Sequence, residues 1–324
     1  MLNPKKKRKE CYFAGILAAA AISLLSGCGG GTPSLEEALK KTASYEQTSI
    51  PSPASDSLGG EWTVIALARS GKAAEDGYYE KYRANLEKRV KEQEGVLSEN
   101  RYTEYARAVL ACKAIGIDPS DIGGYDLGKP LEDFEAVTAQ GLNGAVYALL
   151  ALNADRLEID GELEQKYLTY IVEQEKPSGG FSLDDSSDTA DVDLTAMTLQ
   201  CLEPYATEEE ISAIIDRGVE FLADAQAEDG GYEAYGDKSS ESVSQVILAL
   251  STYGIDCNKD ERFQKKEKGL YDNLMEYYKK DGSFSHILDG DSDPMATDQA
   301  FCAMAAYSRF LNGKTSFYDM SDTN

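Results

Sequence analysis

Histidine is almost missing from this chain. Of 324 residues one is histidine, His286, and one is tryptophan, Trp62. With a single imidazole and no Cys-x-x-Cys pair among six cysteines, a His/Cys zinc site is excluded. A disulfide framework is lacking too. Cys112, Cys201 and Cys302 fall within Ala- and Leu-rich stretches and Cys257 within a turn, positions that suit free, buried thiols. Basic residues are in short supply: 32 Lys and Arg face 57 Asp and Glu, a net charge of −25. A surface so acidic repels polyanions, which excludes nucleic acid as a partner. Alternating strand patterns are scarce as well, and what remains is helical.

The N-terminus stands apart. A basic run, "NPKKKRKE", precedes the apolar "CYFAGILAAAAISLL", an arrangement of signal-peptide type that is too short for a comfortable membrane span. Leu25-Ser26-Gly27-Cys28 follows and then a glycine run, which resembles the lipobox of bacterial lipoproteins. That resemblance implies cleavage before Cys28, lipidation of its thiol and tethering to the outer face of the cell membrane. The expected division is a signal peptide over 1–27, a lipidated tether over 28–33, a folded domain over 34–313 and a C-terminal tail over 314–324.

Within the folded part an internal period emerges. Six Ala/Leu-rich segments superimpose, beginning at Glu61, Glu104, Asn143, Asp193, Ser244 and Asp298, with spacings from 39 to 54 residues. Charged, amphipathic helical stretches separate them, near 35–48, 78–93, 130–138, 160–174, 207–226 and 260–280. An amphipathic helix has one wet face, whereas an all-apolar helix must be shielded on every side. Six alternations of the two predict an all-α fold, an (α/α)6 toroid of six helical hairpins. Three turns support the register: "QEKPSGGF", "QAEDGGY" and "KKDGSF" each place glycine where an outer helix must stop and an aromatic right behind it.

These Gln-x3-4-Gly-Gly-aromatic turns resemble the repeats of squalene cyclases and protein prenyltransferase β-subunits. "DVDLTAMTLQCL" is similar both to the cyclases' Asp-x-Asp-Asp-Thr-Ala and to a helix in the α-domain of intrinsic factor and transcobalamin. "GGEWTVIALARSG" and "AQGLNGAVYALLALNA" resemble bacterial exported prenyltransferase/squalene-oxidase-repeat proteins. The resemblance implies a terpenoid cyclase-like toroid over nearly the whole mature chain. It also implies a general-acid role for Asp193, supported by Asp191. Leu194 stands where the third acid of the motif belongs, however, and the zinc ligands of prenyl transferases are missing.

If the inner helices run parallel, the six segment starts rim a single mouth. Glu61, Glu104, Asn143, Asp193, Ser244 and Asp298 are polar or acidic, and Trp62 and Tyr105 follow two of them as surfaces on which a flat ligand or sugar stacks. Helix capping explains the same residues without a ligand. Two acid-rich loops, one carrying Asp184, Asp185, Asp188 and Asp191, the other Asp289, Asp291 and Asp293, are placed to fold over that mouth. Asp188, Asp291 and Asp293 are hard oxygen donors suited to Ca2+, although the loop lacks the EF-hand's glycine and terminal glutamate. Three functions stay open: an anchored extracellular protein that binds a small molecule, carbohydrate or peptide; a cyclase-like or glycan-cleaving enzyme; and a structural module that contacts other surface proteins.

Overall fold

Ser34 opens the first helix with a reciprocal cap. Its hydroxyl accepts the Glu37 N–H while the Glu37 carboxylate accepts the Ser34 N–H at 3.0 Å. The structure, a computed structural model, describes residues 32–56, 58–155, 160–183, 187–234 and 236–323. The expected signal peptide over 1–27, Cys28, Asp184 and Asp185 lie outside the described residues.

Twelve α-helices occur among the described residues, in two alternating sets. The inner set is α2 (Glu61–Ser70), α4 (Tyr102–Ala114), α6 (Leu142–Asn153), α8 (Val192–Leu202), α10 (Ser240–Thr252) and α12 (Pro294–Leu311). The outer set is α1 (Leu35–Ser49), α3 (Tyr78–Glu92), α5 (Phe134–Thr138), α7 (Gly161–Val172), α9 (Glu209–Ala225) and α11 (Leu270–Leu274). Each inner helix packs on the next, and α12 packs on α2, which closes the ring. The fold is thus the all-α toroid that the alternation predicts. A two-residue ribbon, Glu233–Ala234 against Asp237–Lys238, is a minor addition.

Burial follows the two sets. On α9 the buried residues Ile211, Ile214, Ile215, Gly218, Val219 and Leu222 form one stripe at helical spacing. On α8 burial runs all round, from Leu194 to Leu202. Gly218 lets these two helices approach closely, since a Cβ there would meet Leu199 Cδ2 at 2.7 Å.

The three glycine turns share one geometry. Lys176 N–H bonds Gly180 O, Ala227 N–H bonds Gly231 O and Lys279 N–H bonds Ser283 O, at 2.8, 2.9 and 2.8 Å. The middle glycines, Gly179, Gly230 and Gly282, have φ of +86°, +93° and +104°, a region open to glycine at little cost. Phe181, Tyr232 and Phe284 behind them are fully buried.

The sixth outer element departs from expectation. Residues 260–280 do not form one helix but a 3-10 turn at Glu261–Phe263, a tight turn and the short α11. Lys266 and Glu267 take left-handed φ of 52° and 66°, and only Phe263 is apolar between Asp260 and Gly269, so no continuous buried stripe exists to pay for a helix there.

Residues 314–323 are no loose tail. Phe317, Tyr318 and Met320 are buried, and the Met320 N–H bonds Ala154 O at 2.5 Å. Arg69, in the last turn of α2, holds the segment: Nε donates to Phe317 O, Nη1 to Asp322 Oδ1, and Nη2 to Ser316 O and Asp319 O, at 2.9, 2.6, 3.0 and 2.6 Å. Arg309, at the end of α12, reaches Thr315 and Asp322 as well. The segment therefore closes the end of the ring where inner helices terminate.

Candidate functional site: a pocket at the open mouth

Toward the other end the N-terminal halves of the six inner helices contribute residues to the wall of a cavity of about 240 Å3. Trp62 (α2), Thr103 and Arg107 (α4), Asn143 and Tyr147 (α6), Met197 (α8), Gln245 and Leu248 (α10), and Asp298, Gln299 and Cys302 (α12) line it, with Tyr318 of the C-terminal segment also in its wall. Leu58 and Met295, about half exposed, form an apolar lip.

Caps set the register. Asp191, Ser239 and Asp293 accept the N–H of Leu194, Ser242 and Ala296 at 2.8, 3.3 and 2.9 Å. Counted from these caps, Met197, Gln245 and Gln299 occupy one equivalent position, and all three line the cavity. Ser244 and Asp298 are likewise equivalent, whereas Asp193 stands almost a helical turn too early. A shift of this size is what Ala/Leu-rich helices invite, because their own period makes a one-turn slip nearly invisible.

The six aligned starts consequently part company. Asn143 and Asp298 line the cavity, as does Trp62. Glu61 instead lies fully buried between helices, where Arg107 Nε donates to it at 2.6 Å and the Tyr82 hydroxyl at 2.9 Å. Burial raises its pKa, against the pull of Arg107 and Tyr82. Glu104 pairs with Arg89 at 2.9 Å and with Arg101, away from the lining. Tyr105 accepts the Leu97 N–H through its hydroxyl and stays in the core. The Ser244 hydroxyl donates to Ser240 O at 2.7 Å, within its own helix. Asp193 is outside the lining, half-buried, with its pKa raised by burial and one carboxylate oxygen unpartnered. Asp191 is the α8 cap, and burial raises its pKa also.

The acid-rich loops are similarly occupied. Asp293 caps α12, while Asp188 and Asp291 are exposed. Among the described residues no three Asp, Glu, His or Cys side chains gather as a metal cluster. The four cysteines described are free and buried, and His286 is exposed with Nδ1 2.9 Å from Glu241 Oε1.

Sequence reasoning missed the chemically densest cluster beside the pocket, in which Asp298 lines the cavity and Thr63 and Glu46 stand behind it. Thr63 Oγ1 lies 2.9 Å from Asp298 Oδ1 and 3.1 Å from Glu46 Oε2, all three side chains being buried. Burial raises the pKa of both carboxyls; the Asp298 charge adds to the rise at Glu46, while the Thr63 hydroxyl opposes it at both and the Arg107 charge opposes it at Asp298. Glu46 Oε1 has no partner at all. Arg107 was missed too, though a lone arginine inside "EYARAVLA" is the kind of break in an apolar run that marks a site. A glutamine ladder completes the wall: Gln200 Nε2 donates to Gln245 Oε1 and Gln245 Nε2 to Gln299 Oε1, each at 3.2 Å. It fixes amide orientation across α8, α10 and α12. On the opposite wall the Trp62 and Tyr147 ring centroids are 6.0 Å apart.

Among solved structures the chain is similar to a UGL variant with dGlcA-Glc-Rha-Glc (TM-score 0.57, 12% identity, 88% of this chain and 98% of that one). It is also similar to the type II terpene cyclase MstE from Scytonema (TM-score 0.55, 11% identity, 86% and 99%) and to a polysaccharide lyase (TM-score 0.54, 12% identity, 86% and 97%). At such identities the likeness shows a shared fold and no shared chemistry. A comparison with curated proteins finds no significant match. The family model of the prenyltransferase alpha-alpha toroid domain matches residues 127–323, from the 3-10 turn before α5 through the segment that closes the ring, and the chain belongs to that family.

Proposed function

We propose that the protein is a carbohydrate-binding toroid that takes the end of a glycan chain in its mouth pocket. The observation that carries this reading is the pairing of an aromatic wall, Trp62 and Tyr147, with a wall of amides, Asn143, Gln245 and Gln299. A sugar ring has apolar faces and a polar edge, and these two surfaces match them. The Asn143 side-chain oxygen is buried without a hydrogen-bond partner, an acceptor suited to a ligand hydroxyl. At about 240 Å3 the cavity is smaller than the 300–1,000 Å3 of pockets that enclose drug-sized ligands, so it fits one ring rather than a folded isoprenoid. Toroids occur in terpene cyclases and in glycan-degrading proteins alike; the size and polarity of this pocket favour the second kind of ligand.

The chain acts, in this reading, outside the cell and tethered through a lipid on Cys28. Among the described residues no helix is long and apolar enough to cross a membrane; the proposed attachment rests on the lipobox-like Leu25-Ser26-Gly27-Cys28. Cys28→Ala is expected to abolish metabolic labelling with a fatty acid and release the protein. Persistent labelling would contradict the anchor.

Trp62 is the only tryptophan and lines the pocket, which makes intrinsic fluorescence a direct report of occupancy. Titration of residues 33–324 with neutral, amino and acidic sugars and short oligosaccharides is expected to shift its emission saturably. No response to any sugar, with a response to an isoprenoid, overturns the reading. Product formation in the same samples would replace binding by catalysis.

A further inference from the structure

One proton has to be shared behind the wall of the pocket. A hydroxyl carries a single hydrogen, so Thr63 donates to only one of the two carboxylates it touches, Asp298 at 2.9 Å or Glu46 at 3.1 Å. The other contact is a hydrogen bond only if that carboxyl keeps its own proton. Among the described residues no cation forms an ion pair with either acid. Arg107 lowers the Asp298 pKa through its charge, but its hydrogen bond goes to Glu61 at 2.6 Å. The pair is therefore left without a bonded positive charge.

We propose that the missing charge comes from the ligand: the pocket selects a sugar bearing an ammonium group, an amino sugar, whose nitrogen is held by Asp298 beneath the Trp62 and Tyr147 rings. This rests on the carbohydrate reading above and narrows it to one class. Several features agree. Among the described residues Asp298 is the only acidic side chain that lines the cavity. Two aromatic faces border the same space, and an ammonium is attracted to an aromatic face as well as to a carboxylate. The terminal nitrogens of Arg107, which also lines the cavity, make no hydrogen bond to the described residues, leaving donors for ring hydroxyls. A net charge of −25 draws cations toward the mouth and repels acidic sugars.

Binding then displaces a proton. The groups that face the pair are Glu46 from α1, the neutral Tyr78 phenol from α3, Arg107 from α4 and the Cys302 thiol one turn along α12; Thr63 from α2 and Gln245 and Leu248 from α10 carry no charge. Burial holds both acids above the ordinary carboxylate range, and it keeps the phenol and thiol protonated. An incoming ammonium stabilises the ionised pair, so a proton leaves as the cation enters. No covalent bond changes.

The test is Trp62 fluorescence and calorimetry with D-glucosamine, D-glucose, D-glucuronate and ethylammonium on residues 33–324, wild type and Asp298→Asn. Asn keeps the shape and can still bond to Thr63 but carries no charge. D-glucosamine is expected to bind roughly tenfold or more tightly than D-glucose at pH 7, with D-glucuronate weakest. The preference for D-glucosamine over D-glucose should vanish in Asp298→Asn. Between pH 5.5 and 7, where an ordinary amine of pKa about 7.7 or more stays protonated, D-glucosamine affinity should rise toward about tenfold per pH unit. Over that range calorimetry in two buffers should report a proton released. Equal affinity for glucose and glucosamine, or a preference that survives Asp298→Asn, overturns the ammonium site and leaves the sugar pocket standing. Binding of ethylammonium with no sugar response would do the reverse and remove the carbohydrate reading alone. If none of the four probes is bound, both readings fall.

Discussion

Replacing Arg69 by methionine tests whether the C-terminal segment is a structural wall of the pocket or an incidental cover. Arg69 is 3% exposed and its guanidinium donates to three backbone oxygens, to Asp322 and to the hydroxyls of Thr315 and Thr323, all within residues 315–323. Methionine preserves the apolar stem and removes every one of these bonds. Asp322 is about a third exposed and keeps its pair with Arg309, so the main loss falls on the carbonyls of Ser316, Phe317 and Asp319, at about 1–3 kcal/mol for each acceptor left unsatisfied, which together is of the same order as an entire small domain's stability margin. Three buried side chains, Phe317, Tyr318 and Met320, oppose release, each worth about 1.5–3 kcal/mol. Fixing a residue's backbone costs about 1–2 kcal/mol, so the ten residues from 314 to 323 are not held by those three alone. The expected outcome is local release: amide exchange at residues 315–322, including the Met320 N–H, accelerates by about 100- to 1,000-fold, while amides in α2 and α10 slow down to the same limit as in the wild type. Because Tyr318 also walls the mouth pocket, Trp62 emission should move to the red as water enters through the far end. Exchange within a few-fold of wild type and unchanged Trp62 emission would refute the argument. Acid should act in the same direction. Burial alone would raise the Asp322 pKa, but hydrogen bonds from Arg69 and Arg309 bring it down to about 2, below the ordinary 3.8. The stabilisation it provides is present above the ordinary value and lost as pH falls through the lowered one.

Two further outcomes follow from the same contacts. Glu46→Gln removes one member of the acid pair. Both folded-state carboxyls titrate above their ordinary values, so the native protein binds more protons than the unfolded chain and loses stability as pH rises, by up to about 1.4 kcal/mol per pH unit per excess proton. Urea midpoints from pH 5 to 8 should fall less steeply in the variant; identical slopes would mean that the pair ionises as it does in water. Gly282→Ala forces a Cβ to 2.7 Å from the Lys41 carbonyl oxygen at φ +104°, whereas Gly71→Ala at φ +69° meets open space. The first should lower the melting temperature well beyond the second, whose cost is about 1–2 kcal/mol; equal losses would show that α1 does not abut that turn.

The ring was legible in the sequence because its physics is periodic. An inner helix shielded on every side needs apolar residues all round, as from Leu194 to Leu202, and an outer one needs a stripe, as from Ile211 to Leu222; both needs write themselves into composition. The turns were legible for a similar reason, since Gly179, Gly230 and Gly282 occupy a backbone region that other residues avoid. The pocket was only half legible, because which side chain faces the axis depends on rotation of the helix, and a rotation error of one residue exchanges Glu61 for Trp62. Asn143 and Asp298 were found by position, while Gln245 and Gln299 stand one step past the aligned starts. Capping residues would have fixed the phase: Asp191, Ser239 and Asp293 are defined by the need to satisfy open N–H groups rather than by similarity, and counting from them aligns Met197, Gln245 and Gln299. Nothing local could have revealed Glu46. It sits on the first helix, reads as one acid among many on an amphipathic surface, and joins the cluster behind the pocket wall only because ring closure brings α1, α2 and α12 together. A site assembled from the two ends of the chain carries no spacing signal, and the closure contact that creates it is the last that a linear reading can supply.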